Sequence, residues 1–225
     1  MNRTLFLVLV GTALAVMAAG CIFSPKTEEV VIDLGEYSKA LTHPDSLIND
    51  LEVSYQRREI VHYAPLLGNE FIFHFLPKDA PDIPNGEWNR DQDSTGTYRL
   101  FNDATVVGIA IALKWFAPVS DTIQGEAVQR VEVSYTDLKV DINGGETTLQ
   151  VQGDRQNFYF QQGDQLGEDP DRWYIVDWED LGTADGKPSR ERQSLGSRIQ
   201  AGGVIPVSLS ELRAFLGSAE TTPSP

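Results

Sequence analysis

Cysteine is almost missing from this 225-residue chain, which has one, Cys21. A single thiol excludes an internal disulfide framework and a zinc site built on paired cysteines. Basic residues are also scarce, with 18 Lys plus Arg against 33 Asp plus Glu and a formal charge of −15. No window clusters them, so sequence-independent binding to nucleic-acid phosphates is a poor reading. Histidine occurs at three scattered positions, with no pair four residues apart to hold zinc. Also absent are a P-loop, a Gly-x-Gly-x-x-Gly fingerprint and a Gly-x-Ser-x-Gly elbow, which argues against nucleotide enzymes and serine esterases. Two acidic stretches imitate calcium loops without completing one. Asn89, Asp91 and Asp93 alternate correctly, but Ser94 stands where Gly is required and Leu100 where a bidentate Glu belongs. Asp164, Glu168, Asp169 and Asp171 read as a water-exposed turn. The expectation is no metal and no cofactor.

What the chain does have begins at its first residues. A short positive segment, Met1 to Arg3, precedes an apolar run from Leu5 to Ala19 that ends in small residues before Cys21. That run is shorter than the roughly 20 residues a spanning helix needs, so it reads as a secretory signal. Val16-Met17-Ala18-Ala19-Gly20-Cys21 resembles a bacterial lipobox. The resemblance implies cleavage before Cys21, lipidation of its thiol and new amine, and a membrane anchor held by several acyl chains. The alternative is an ordinary signal with a coincidental cysteine. Ile22, rather than Asp, follows the cysteine, which by the same resemblance directs the protein to the outer membrane, facing the periplasm. The expected organisation is a signal at 1–20, a flexible tether at 21–40, one domain at 41–185, and a C-terminal extension at 186–225 with a short helix and a disordered end.

Within the domain, Leu47, Ile48, Leu51 and Tyr55 recur at helical spacing after Thr42, Pro44 and Asp45, with Thr42 or Asp45 as the cap. A break near Arg57 to Glu59 precedes a second apolar phase at Ile60, Tyr63, Leu66 and Leu67. Phe71-Ile72-Phe73-His74-Phe75 alternates as a strand with its three Phe on one face. Glu87 to Phe101 reads as a second helix or helical turn carrying Trp88, Tyr98 and Phe101. Long strands follow at Thr105 to Phe116, Ala127 to Ile142, Thr147 to Gln162 and Arg172 to Leu181, with Asn143-Gly144-Gly145 as a tight turn. Val131, Val133 and Tyr135 are odd-numbered, whereas Leu138, Val140 and Ile142 are even-numbered. A bulge near Thr136-Asp137 would return both sets to one buried face. The third strand changes parity too, from Leu149 and Val151 to Phe158 and Phe160. Near the end, Ser208-Leu209-Ser210-Glu211 fits a capping box, with Val207 and Leu212 as its hydrophobic staple.

Helices segregated from a run of antiparallel strands indicate an α+β fold. The stretch from Leu51 through Phe75, with Trp173-Tyr174-Ile175-Val176-Asp177-Trp178 as a last strand, resembles the NTF2-like, or SnoaL-like, superfamily, and most of all bacterial lipoproteins within it. That resemblance implies a cone, a strongly curved antiparallel sheet wrapped around the long first helix with a pocket at its open end, and a frequent homodimer through the sheet face. Candidate pocket residues are Tyr55, Tyr63, Trp88, Tyr98, Phe101 and Asp177, with His74, Arg99, Tyr159 and Trp178 as further polar groups. No subset matches the catalytic set of ketosteroid isomerases, so no catalytic residue is assigned. Asp177 is the most attractive base, unless solvent or a salt bridge to Arg58 or Arg99 holds it. Two functions follow: a non-catalytic module binding a small apolar ligand or a protein partner, or a pocket enzyme moving a proton or hydrolysing a small carbonyl compound. A buried carboxyl beside a buried Tyr or His favours the enzyme; a filled cone favours the module.

Overall fold

The computed structural model describes residues 35–76, 78, 83–183, 195, 199–200 and 202–218. The signal, Cys21, the first part of the tether and residues 219–225 lie outside them. Helix α1 (Pro44–Arg57) starts at Pro44, whose missing N–H is not needed in a first turn. His43 takes the cap position and makes no side-chain cap bond, while Asp45 sits in the first turn, not at the cap. Leu47, Ile48, Leu51 and Tyr55 are buried, as their spacing requires. Arg58 ends the helix in the left-handed conformation, at φ 58°, and α2 (Ile60–Tyr63) follows. The break near Arg57 to Glu59 is therefore real.

Next come β1 (Leu67–His74), β2 (Glu87–Asn89) and α3 (Arg90–Asn102). The helix expected from Glu87 begins later because Asn89 and Gln92 form a reciprocal capping box. Trp88 therefore belongs to a strand, where it pairs with Phe73. The sheet continues with β3 (Val106–Trp115), β4 (Val119–Ile123), β5 (Glu126–Ile142), β6 (Thr147–Gln162) and β7 (Trp173–Thr183). Its order is β2-β1-β7-β6-β5-β3, and β4 also pairs with β5, beyond the end of β3. Most pairs are antiparallel, but β1 runs parallel to β7. The register between β5 and β6 shifts between Val133 and Asp137, as the change of parity requires. On β6 the compensating residue is Gly153, at φ 81°, which stands between paired Gln152 and Asp154. Both long strands thus keep one face toward the core while bending.

The sheet curves around α1. Gln56 donates to the Ile111 carbonyl at 3.0 Å and Glu52 accepts from the Leu113 amide, joining the helix to β3. Phe71, Phe73, Phe158, Phe160 and Ile175 point inward with Tyr55 and Tyr63, and Trp173 packs at the margin. Two expected boundaries move outward. Residues 35–40 hold to the domain, since Tyr37 donates to Glu59 at 2.7 Å and stacks on His62, and the Ser38 amide donates to Asp50 at 2.7 Å. The C-terminal segment is not an appendage either. Strand β8 (Gly203–Pro206) pairs parallel with β6, and α4 (Leu209–Ser218) buries Leu209 and Leu212 in the main core. Val207 and Leu212 are both buried there, and Ser208 Oγ accepts from the Glu211 amide at 3.0 Å, so the N-terminal half of the expected box is present.

Candidate functional site

The interior of the cone is occupied by the chain's own arginine. On α4, Arg213 follows Leu209 and Leu212 on the buried face and is 3% exposed. Its Nη1 is paired with Oδ2 of Asp93, a carboxylate on α3 that is fully buried. Nη2 donates to the hydroxyls of Tyr55 at 3.2 Å and Tyr63 at 3.3 Å, and the Tyr63 hydroxyl in turn donates to Asp93 Oδ1. The guanidinium carbon lies 4.3 Å from the centre of the Phe73 ring and 4.2 Å from Trp178, within the range of cation–π attraction. Phe101 completes the wall through edge contacts with Tyr55 and Tyr63. Burial pushes the Tyr63 hydroxyl up to about 12, so it remains a donor at physiological pH.

Helix α4 is fixed to the domain by two buried carboxylates at its N-terminus. Asp154 of β6 accepts from the Leu209 amide at 3.0 Å. Asp180 of β7 accepts from the Ser210 amide at 2.9 Å and its hydroxyl at 2.6 Å. Free N–H groups and the helix dipole both favour negative charge there.

The second polar cluster lies on the opposite face of the sheet. Val176 is skipped in the pairing of β7 with both neighbours, and this bulge leaves Val176 and Asp177 together on the outer side. Asp177 therefore does not face the cone, contrary to expectation, and its partner is neither Arg58 nor Arg99. Its Oδ2 lies 2.9 Å from Nε2 of His74, whose Nδ1 lies 3.3 Å from Glu87. Arg58 instead donates to the carbonyls of Phe101, Asp103 and Val106. Burial raises the Asp177 carboxyl above its ordinary range despite the opposing His74 bond. His74 is raised as well, chiefly by that hydrogen bond. Nearby, Tyr159 donates to Glu179 at 2.9 Å, and burial and this carboxylate hold its hydroxyl up at about 12. With carboxylates at both ring nitrogens, His74 has no free lone pair to take a proton from a substrate. The cluster clamps β1, β2 and β7 together.

Of the expected pocket residues, Tyr55, Tyr63 and Phe101 meet in the interior. Trp88 is buried but sits against Phe75. Tyr98 is 52% exposed and leaves the pocket set. The sequence reading passed over Asp93, except as part of a failed calcium loop, and Arg213 altogether. Their signal was available: Asp93, Gly96, Thr97, Leu100 and Phe101 form one buried stripe on α3, with a charge inside it. Among the described residues no group of His, Cys, Asp and Glu is arranged to hold a metal.

No family model matches the chain, and no curated protein does. Among solved structures it is similar to a nuclear transport factor 2 (NTF2-like) superfamily protein from Salmonella enterica serovar Typhimurium, at 15% identity and TM-score 0.43, over 64% of this chain and 92% of that one. The chain's own architecture is α+β, a strongly curved and mostly antiparallel sheet with few helices. The chain is also similar to a Mycobacterium tuberculosis protein of unknown function, at 9% identity and TM-score 0.45, over 78% of this chain and 86% of that one. A hexachlorocyclohexane dehydrochlorinase from Novosphingobium barchaimii is similar at 8% identity and TM-score 0.40, over 61% of this chain and 82% of that one.

Proposed function

We propose that the protein is a lipid-anchored component of the bacterial cell envelope whose NTF2-like domain binds a partner and catalyses nothing. The observation that carries the non-catalytic half is Arg213. Asp93 beside Tyr63 is the kind of buried carboxyl and hydroxyl pair that a pocket enzyme would use. Both its oxygens are engaged, one by the guanidinium and one by the tyrosine. Of the two expected ligands, a protein partner fits better than a small apolar molecule, because the Arg213–Asp93 pair makes the centre of the cone ionic. The outer sheet face supplies the surface for it, including a groove of about 120 Å³ bordered by Ile72, Val176, Glu70 and Asp177. A second copy of the chain is one candidate partner for that face.

The anchor rests on the N-terminal segment and Cys21, and among the described residues no helix is long and apolar enough to cross a membrane. Cys21→Ser should move the protein from the membrane fraction to the soluble periplasm; unchanged membrane association removes the anchor. Native mass spectrometry of the soluble Cys21→Ser protein should show no small molecule bound at one-to-one occupancy. A bound apolar compound would overturn the preference for a protein partner.

A further inference from the structure

The groups around Arg213 come from five separate elements: Tyr55 from α1, Tyr63 from α2, Phe73 from β1, Asp93 from α3 and Trp178 from β7. Several are held in place by bonds that do not involve α4. The Trp178 indole donates to Gln156 at 3.1 Å, and Gln156 donates to Thr136 at 2.9 Å, which fixes the ring from β6 and β5. Tyr63 is tied to Asp93, and its ring meets those of Tyr55 and Phe101 edge-on. A carboxylate, two hydroxyl acceptors and two π faces thus converge on one point, with their positions set by the body of the domain.

That set is chemically specific. Negative charge, hydroxyl acceptors and aromatic faces all attract a flat, weakly hydrated organic cation and offer little to a neutral or anionic group. The occupant is also an incomplete match, because Arg213 Nε has no hydrogen-bond partner among the described residues. We propose that the cone interior is a binding site for a guanidinium or alkylammonium group, occupied in cis by Arg213, so that α4, held by Asp154 and Asp180, competes with an external ligand for it. An external ligand of that class, carried on a small molecule or on an arginine side chain, takes the same site when α4 withdraws. The chain's net charge of −15 favours the approach of such a cation. The inference concerns the interior and does not depend on the outer-face partner, so either can fail without the other.

The test uses Arg213→Ala in the full Cys21→Ser chain, titrated with ethylguanidinium and, in parallel, with ethylurea as its neutral analogue. Ethylguanidinium should bind saturably, followed by intrinsic tryptophan fluorescence and by a rise in melting temperature, and ethylurea should not. Adding Asp93→Asn should weaken binding about tenfold or more, the loss expected for a charge-assisted contact. If Arg213→Ala is unfolded alone, low concentrations of ethylguanidinium should refold it. Absence of saturable binding, equal responses to the two compounds, indifference to Asp93→Asn, or an unfolded variant that the cation does not restore would each overturn the proposal.

Discussion

Removing the charge of Asp93 while keeping its shape is the most direct probe of the interior. Asp93→Asn leaves the amide oxygen to accept from Tyr63 but strips Arg213 of its counter-charge at a site where the two side chains are 0% and 4% exposed. Breaking a buried ion pair by neutralising one partner costs about 3 to 5 kcal/mol, because the remaining charge stays desolvated without compensation. For a domain of this size, that is a fall of roughly 6 to 20 °C in the melting temperature. Circular dichroism during thermal and urea unfolding measures it. The partner change separates charge from packing: Arg213→Met keeps an apolar stem between Phe73 and Trp178 and removes the charge. The double variant Asp93→Asn, Arg213→Met should be more stable than Asp93→Asn alone, since no unpaired charge is left inside. An Asp93→Asn loss of less than about 1 kcal/mol, the range of a solvated surface pair, would refute the reasoning.

Phe73→Ala removes a fully buried ring that touches Phe75, Trp178 and the Arg213 guanidinium, and should cost roughly 3 to 5 kcal/mol in the same unfolding assay. Asp180→Ala strips two donors of the α4 N-terminus of their acceptor and should cost about 2 kcal/mol, with faster hydrogen exchange concentrated in α4. The His74 clamp predicts a pH dependence. Its folded value is raised above 6.5, so the stability it contributes is complete below about pH 6.5 and is lost as pH rises through the raised value. Urea midpoints measured across that window should fall with pH in the parent, and the slope should flatten in His74→Gln.

The long elements were legible in the sequence because they carry enough residues to establish a period. Strands β5 and β6 were bounded within a residue or two, and the bulge between Val133 and Asp137 followed from parity alone. Short edge strands were not, since β2, β4 and β8 have three, five and four residues and show almost no alternation. The bulge at Val176 had only a faint marker, the change of parity between inward Ile175 and inward Trp178 inside an unbroken apolar run, and it turned Asp177 away from the cone. The interior pair failed for a different reason. Asp93 and Arg213 are 120 residues apart in the sequence, each on an apolar helical stripe, and only together do they make sense as core residues. A buried charge on one amphipathic helix is a reason to look for its opposite on another.

Helix α4 also determines when the domain can be finished. Arg213 reaches tyrosines 158 and 150 residues earlier in the chain, so the interior is sealed by a segment that leaves the ribosome long after the walls it closes. Until then the nascent cone carries Asp93 and its two tyrosines facing an open cavity, with the Tyr63 hydroxyl and water as the partners of the carboxylate. Contacts this distant in sequence make folding slow, since loop closure must precede the reward of pairing. A chain so arranged has a built-in interval of incompleteness, which ends only when α4 reaches the walls already made.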